Sequence, residues 1–374
     1  MYLKRIIISD FKNIREAELE FSPRVNSISG NNGEGKTNLL DAIYYLSMTK
    51  SYFNSSDVYT FPYGKNRSAL NGTYITGDSA AEERISLGIQ SDSGKIVKRN
   101  GKTYERISEH IGLIPIVMVS PSDTQLVNGG AEERRKFINS LLSQTDKEYL
   151  YRIQRYNQLL AQRNRLLKQP EMTADLLQTI TERMSPDALY IYNRRAELST
   201  DMKKIAGEYY AALCGSNESV SLEYTSDLRE YAQFGDEALC RLLGEAAQRD
   251  AILKYTTAGI HRDDIEFSIM GHPLKRCGSQ GQQKSFLIAL KLAQFTLMKR
   301  LHSVEPILLL DDVFDKLDMQ RVEYLLKLVS GEGFGQIFIT ESNKVRLERL
   351  SAAISSDIKF FEVKGGVLQE LERL

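Results

Sequence analysis

Tryptophan is absent from this 374-residue chain, and cysteine (three), histidine (four) and proline (eight) are scarce. The cysteines, Cys214, Cys240 and Cys277, are odd in number, scattered and without a C-x-x-C pair. That argues against a disulfide framework and, with so few histidines, against a structural zinc site; three reduced thiols in a cytosolic protein are expected. Long hydrophobic runs are also missing. The opening MYLKRIIISDFKN breaks at Ser9 and Asp10, too early for a signal peptide, and no later stretch approaches a membrane span. A soluble chain with no membrane role is expected. Nor is there an excess of either charge: 49 Lys+Arg face 49 Asp+Glu, which excludes a uniformly basic nucleic-acid binder. With 42% hydrophobic and 26% charged residues the chain is not disordered, and its length suits two to three domain-sized units or one domain with a large insertion.

What is present is ordered punctuation. Leu3–Ser9, Ala17–Phe21 and Val25–Ser29 have strand patterns, followed by a glycine-rich turn and then TNLLDAIYYLSM with helical spacing through Leu39, Leu40, Ile43, Leu46 and Ser47. Residues 61–107 hold short strands, with Asn100-Gly101 as a two-residue hairpin turn. That hairpin is either a solvated element or one facing DNA or nucleotide. From Ala131 to about Cys214 the pattern is helical, and Pro170 with Thr173–Asp175 divides it into at least two long helices, an antiparallel pair. Its Glu148–Lys168 stretch would be about 30 Å long. Ser185-Pro186 suits a helix start. Residues 216–250 are acidic and less regular. Strands return at Ile265–Met270, Ile307–Leu310, Gln336–Thr340 and Ile358–Val363, with a helix at Gln282–Leu301. An α/β sheet is therefore split between the chain ends, with helices inserted between.

Three motifs carry chemistry. Gly30–Thr37, GNNGEGKT, is a full G-x-x-x-x-G-K-[ST] placed between a strand and a helix. Glycines let backbone N–H groups wrap phosphates; Lys36 would reach the β- and γ-phosphates, Thr37 would ligate Mg²⁺, and the helix N-terminus favours negative charge. The nucleotide site thus comprises Gly30, Asn31, Asn32, Gly33, Glu34, Gly35, Lys36, Thr37 and Asn38. ILLLDDVFDKLD, Ile307–Asp318, ends a buried strand in acid: Asp311 would hold Mg²⁺ through water and Asp312 would orient or deprotonate the attacking water. SQGQQK, Ser279–Lys284, precedes an amphipathic helix. By itself it reads as a helix cap; ahead of the aspartates, its serine and glycine could grip a γ-phosphate in a second subunit's site.

The order phosphate loop, S-Q-G-Q at a helix start, then DD with a downstream L-D resembles the ABC-type ATPase head. SDFKNI, GKTNLLDAIYYLS, SPSDTQLV, GIHRDDIEF, GSQGQQKSFLIALKLA and PILLLDDVFDKLD resemble the RecF family of recombination-repair ATPases over nearly the whole chain. The resemblance implies an α/β, ABC-ATPase-head-like P-loop lobe built from both chain ends, with an inserted helical lobe bearing a short antiparallel arm. The expected divisions are 1–125 (phosphate loop and hairpin), 126–255 (arm lobe) and 256–374 (signature and Walker B aspartates). It also implies Lys36, Asp311 and Asp312 as catalytic residues, Ser279, Gln280, Gly281 and Gln282 as a signature offered in trans, and Asp318 in a loop crossing to the partner. Departures are Gln280 where ABC signatures usually have glycine, Ile260 where GIHRDD's relatives have proline, and Glu341 where transporter ATPases place a switch histidine. Ser120–Asp123 is the counterpart of the Q-loop.

Function follows from the resemblance as an expectation: a slow, DNA-stimulated ATPase of the cytoplasm and nucleoid that pairs on ATP. It would bind gapped, duplex or single-stranded junction DNA and, with RecO and RecR, promote RecA loading. A chromosome-organising ATPase would carry arms of several hundred residues, and a transporter subunit a smaller insertion than the 243 residues from Lys36 to Ser279. A small-substrate phosphotransferase needs an acceptor pocket for which no motif exists. Net neutrality hides segregation. Residues 131–169 carry nine Lys/Arg against four Asp/Glu and 251–300 eight against three, whereas 216–250 carry three against eight and 301–374 nine against thirteen. Solvated helix faces are one reading. The other makes Arg134, Arg135, Lys136, Arg152, Arg155, Arg163 and Arg165, with Lys95, Lys98, Arg99 and Lys102, the DNA contacts.

Overall fold

The computed structural model describes residues 1–77, 81–92, 94–169, 174–215, 218–302, 304–314, 319–331, 333–342 and 357–372. Its first part is β1 (Tyr2–Phe11), β2 (Ile14–Glu20), β3 (Val25–Ser29), α1 (Lys36–Met48), β4 (Arg67–Thr76), β5 (Ala81–Gln90), β6 (Gly94–Arg99), β7 (Lys102–Thr103) and β8 (Ile116–Val119). The middle holds α2 (Thr124–Asn128), α3 (Ala131–Thr145), α4 (Lys147–Leu166), α5 (Ala174–Cys214), β9 (Val220–Thr225), α6 (Ala238–Leu253), β10 (Asp264–Ile269), β11 (His272–Pro273) and α7 (Leu274–Cys277). Then come α8 (Gln280–Leu301), β12 (Ile307–Asp311), α9 (Met319–Ser330), β13 (Ile337–Glu341), β14 (Ile358–Lys364) and β15 (Val367–Leu371).

One compact unit comprises 1–123 with 291–374. It contains an antiparallel sheet ordered β2-β1-β4-β5-β6-β7 and a mixed sheet ordered β15-β14-β3-β13-β12-β8. The runs ILLLD and IFITE are buried at every position, as strands covered on both faces must be, and β8, β12, β13, β3 and β14 are parallel neighbours. Helix α1 is buried almost all round, from Leu39 and Leu40 to Met48, and shares one core with both sheets. Gln336 links the sheets: its amide donates to Leu3 O and Ser22 O, both at 2.8 Å, and accepts from Leu3 N at 2.7 Å. Asn100 (φ 51°) and Gly101 (φ 82°) form the expected hairpin between β6 and β7.

The second unit comprises 124–290, so the boundary expected at 255/256 lies at 290/291. Strand β10 pairs with β9, which keeps the GIHRDD segment and the start of α8 in this unit. Helices α4 and α5 form the arm; Pro170 and Thr173, expected to separate them, lie outside the described residues. Ser185-Pro186 does not start a helix. Pro186 lies inside the 41-residue α5, and the Ser185 hydroxyl accepts from Leu239 N at 3.0 Å instead of capping. An internal proline costs about 3 kcal/mol. The buried Ser185, Asp187, Ala188 and Ile191 around it supply the offsetting contacts. Residues 216–250, expected to be irregular, carry β9 and α6, the latter buried through Leu239, Leu242 and Leu243.

Candidate nucleotide site and signature helix

The phosphate loop leaves the C-terminal end of β3 and turns into α1 through glycines no other residue could replace. Gly35, the helix N-cap, has φ 118°, and a Cβ there would lie 2.6 Å from the Asn13 amide. Gly30 has φ 150°, and its Cβ would meet the Val363 carbonyl at 2.5 Å. No side chain caps α1, so its first turn offers N–H groups to an anion. Lys36 Nζ donates to Gly30 O at 2.7 Å and Asn31 O at 2.9 Å, which folds the ammonium over the loop. The loop is braced from outside. Asn13 Nδ2 donates to Glu34 O (3.0 Å), Asn38 Nδ2 to Asn13 Oδ1 (2.7 Å), Gly366 N to Glu34 O (2.9 Å) and Gly365 N to the Glu34 carboxylate.

Asp311 ends β12, two strands from β3 in the same parallel sheet. It is only 4% exposed, yet Thr37 Oγ1 lies 2.9 Å from both of its carboxylate oxygens and Thr340 Oγ1 donates to it at 2.8 Å. Burial pushes its carboxyl up from the usual carboxylate range, opposed by those two hydroxyls. Asp312 is more open, adopts φ 47°, and its N–H donates to Thr340 Oγ1 at 2.9 Å. One threonine therefore fixes both aspartates. Hard oxygens from a hydroxyl and a carboxylate suit Mg²⁺, and no group of three or more His, Cys, Asp or Glu that could form a metal cage exists among the described residues. Such a pair holds a metal only together with phosphate oxygens.

Asn13, Thr340 and the Gly365-Gly366 turn carry no role in the sequence reading, although SDFKNI contains Asn13 and the strand Gln336–Thr340 with the departure at Glu341 ends on Thr340. Glu341 follows Thr340 at 1% exposure, and its Oε1 accepts from Ser342 N at 2.9 Å. Asp318 lies outside the described residues. In the Ser120–Asp123 segment, Asp123 accepts from Ser120 N (2.8 Å) and Tyr52 OH and pairs with Lys291 Nζ (2.9 Å), a closed arrangement for the expected Q-loop counterpart.

In the other unit, Ser279 and Gln282 form a reciprocal capping box at the start of α8: Gln282 N donates to Ser279 Oγ (3.2 Å) and Ser279 N to Gln282 Oε1 (2.7 Å). Gln282 Nε2 also donates to Glu218 (2.8 Å), whose other oxygen accepts from Tyr210 OH (2.8 Å). Ser279 and Gln280 are exposed, and Gly281 is half-buried.

Most of the expected DNA-binding cations are engaged internally. Arg134 makes a two-pronged bond to Asp264, and Arg135 donates to Asp263 O. Lys136 pairs with Glu132 and Glu133, Arg152 with Glu148 and Asp187, and Arg155 with Asp187. Arg163 is buried on Asp250, Arg99 pairs with Glu83, and Lys95 with Asp57. Lys98, Lys102 and Arg165 are exposed, and their side chains have no hydrogen-bond or ion-pair partner among the described residues.

Phosphate loop, paired aspartates and a capped S-Q-G-Q helix on an inserted arm unit define a P-loop ATPase head. The model for the RecF/RecN/SMC N-terminal domain matches residues 2–362. The DNA replication and repair protein RecF of Parabacteroides distasonis is 44% identical over 372 residues, 100% of both chains, and that of Bacteroides fragilis 43% over 373 residues, covering 100% of this chain and 99% of its own. A solved structure of the recombination mediator RecF-ATP in the RecFOR pathway superimposes with TM-score 0.88 at 30% identity, over 99% of this chain and 97% of that one. The Smc head of Pyrococcus furiosus shares the fold, with TM-score 0.58 at 15% identity, 99% of this chain and 96% of that one. The chain belongs to the RecF family of SMC-like ATPases.

Proposed function

We propose that this chain is an ATP-driven DNA-binding protein of replication and recombinational repair, and the observation that carries this is the meeting of Lys36, Thr37 and Asp311 at the ends of β3 and β12, parallel strands of one sheet with β13 between them. Residues Gly30–Asn38 wrap the phosphates, with Lys36 exchanging loop carbonyls for phosphate oxygens. Thr37 and Asp311 would hold Mg²⁺, whose charge would offset that of the phosphates. Asp312 orients a water toward the γ-phosphorus and accepts its proton. Ser279, Gln280, Gly281 and Gln282 address the nucleotide of a second copy, with Asp318 in the crossing loop. ATP then favours the dimer by mass action, and slow, DNA-stimulated hydrolysis releases it.

The DNA would be duplex or gapped DNA beside single-strand junctions, and the partners RecR and RecO, through which RecA is loaded. The RecF names of relatives 44% and 43% identical, and the RecFOR pathway of the ATP-bound neighbour, support this. Because most of the arm arginines are engaged internally, DNA contact falls instead on exposed cations whose side chains have no partner among the described residues: Lys98 and Lys102 of the hairpin, and Arg165, Lys168, Lys275 and Arg276. The test is binding to gapped, duplex and single-stranded DNA with and without ATP, titrated with salt. Binding that rises with ATP and falls steeply with salt is expected. Indifference to both would refute the proposal.

A further inference from the structure

The S-Q-G-Q turn is held by a carboxylate that pairs with no cation. Glu218, half-buried in the segment before β9, gives one oxygen to Gln282 Nε2 (2.8 Å) and the other to Tyr210 OH (2.8 Å). It has no ion-pair partner among the described residues. Tyr210 is wholly buried on α5, and Met270 N donates to Ser219 O at 2.8 Å, so the segment is fixed by α5 and by the end of β10. All of these residues lie in the 124–290 unit. Taking a charge from water without a counter-charge is costly, and two neutral donors could be met by a neutral side chain.

What a carboxylate alone does is accept without donating. The Gln282 amide must therefore turn Nε2 toward Glu218, which leaves Oε1 for Ser279 N at 2.7 Å. Turned the other way, it would set oxygen against carboxylate and N–H against N–H. The remaining donors of the turn follow from that orientation. Ser279 Oγ accepts from Gln282 N at 3.2 Å and keeps its own hydrogen. Gln280 and Gly281, at the first two positions of α8, carry N–H groups that have no intrahelical acceptor. Three donors are thereby left for an anion, on residues that are exposed or half-buried. Gln283 Nε2 donates to Gly278 O at 3.0 Å and so fixes the residue just before Ser279.

We infer that Glu218 and Tyr210 are positioning residues of the signature: they lock the Gln282 amide in the one orientation that holds Ser279 with its hydroxyl hydrogen available to a phosphate oxygen of a second copy's ATP. On this view the Gln282 side chain braces the turn, and the Ser279 hydroxyl with the first N–H groups of α8 meets the phosphate. The inference rests on the pairing in trans proposed above. It separates ATP affinity, which belongs to the phosphate loop of the same copy, from ATP-dependent association, which needs the braced signature.

The experiment uses the full chain, with ATP affinity measured by equilibrium dialysis at low protein concentration and association by sedimentation velocity in excess ATP. Glu218→Gln keeps the side-chain shape but lets one amide face another either way round; Glu218→Ala removes the brace. Both should bind ATP within about twofold of wild type and associate about tenfold more weakly, the weight of one hydrogen bond to a charged group. Tyr210→Phe, which leaves Glu218 one of its two bonds, should cost about threefold, as one neutral hydrogen bond does. Ser279→Ala should also associate about tenfold more weakly, and adding Glu218→Ala to it should cost no more than about twofold further, because Glu218 acts through that hydroxyl. A merely structural Glu218 would instead add its full effect in the double variant. Wild-type association in both Glu218 variants, additive losses in the double variant, or ATP affinity falling in step with association would overturn the inference and leave pairing intact. If wild type does not associate on ATP, or Ser279→Ala associates as wild type does, the signature in trans is itself wrong and the inference falls with it.

Discussion

Asp311 and Asp312 are neighbours with opposite surroundings, one buried beneath two threonine hydroxyls and the other more open in a left-handed turn. Asparagine tolerates that backbone as well as aspartate does. Asp312→Asn should therefore preserve the fold and ATP binding while lowering turnover by about 10²–10⁴, the usual weight of a general base. Steady-state phosphate release beside ATP affinity measures this, and wild-type turnover would remove Asp312 from its assigned role. Lys36→Ala should abolish the rise in melting temperature that ATP gives the wild type, because only ligand bound to the folded chain stabilises it. Thr340→Val is nearly isosteric but removes one of the two hydroxyls on the Asp311 carboxylate and takes the acceptor from the Asp312 N–H, at a cost of about 1–3 kcal/mol in urea unfolding. The motif residues were legible because their spacing is local. Thr340 was not, since its value comes from β13 lying between β3 and β12, a placement fixed by pairing across hundreds of residues.

At the scale of elements, the GIHRDD segment is a bolt for the arm unit. Arg195 of α5, 2% exposed, donates to Asp263 (2.6 Å), Ile260 O (2.7 Å), Tyr149 OH (3.1 Å) and Asn139 (3.0 Å). Arg195→Met would strand Asp263 and should cost about 3–5 kcal/mol in denaturant unfolding. His261 is bonded to Tyr156 OH (2.9 Å) and Thr256 O (3.0 Å), and burial lowers its pKa, favouring the neutral ring. The sign follows from linkage. With the folded pKa below the unfolded value of about 6.5, its contribution is complete above that pH and is lost as the pH falls toward the folded pKa. His261→Gln should flatten the acid limb of stability just below pH 6.5, as read from urea midpoints. Strands and arm helices were legible from periodicity. Pro186 misled because the local cost of a proline was set against buried contacts of Ser185 and Asp187 that no window of sequence contains.

For the whole molecule, a net charge of zero turns out to be pairing between elements distant in sequence more than segregation of free charge along the chain. The basic stretch 131–169 is neutralised by Asp187, Asp250 and Asp264, which lie far along the chain, so local counts overstated its free charge. Two exposed cations flank the signature, where Lys275, Arg276, Cys277 and Ser279 are all open. Cys277 makes this face measurable. It is exposed, whereas Cys214 and Cys240 are only partly so, and burial raises the Cys240 thiol further from reactivity. A maleimide should therefore label Cys277 first in the free chain, and Cys277→Ala should remove that fast phase. If the signature faces a partner's nucleotide, ATP should slow labelling by about tenfold once nine-tenths of the chains are paired, because only unpaired copies react. Lys36→Ala should erase the protection while leaving the rate without ATP unchanged. Full reactivity of Cys277 in a dimer that sedimentation shows to have formed would move the pairing face away from Ser279–Gln282.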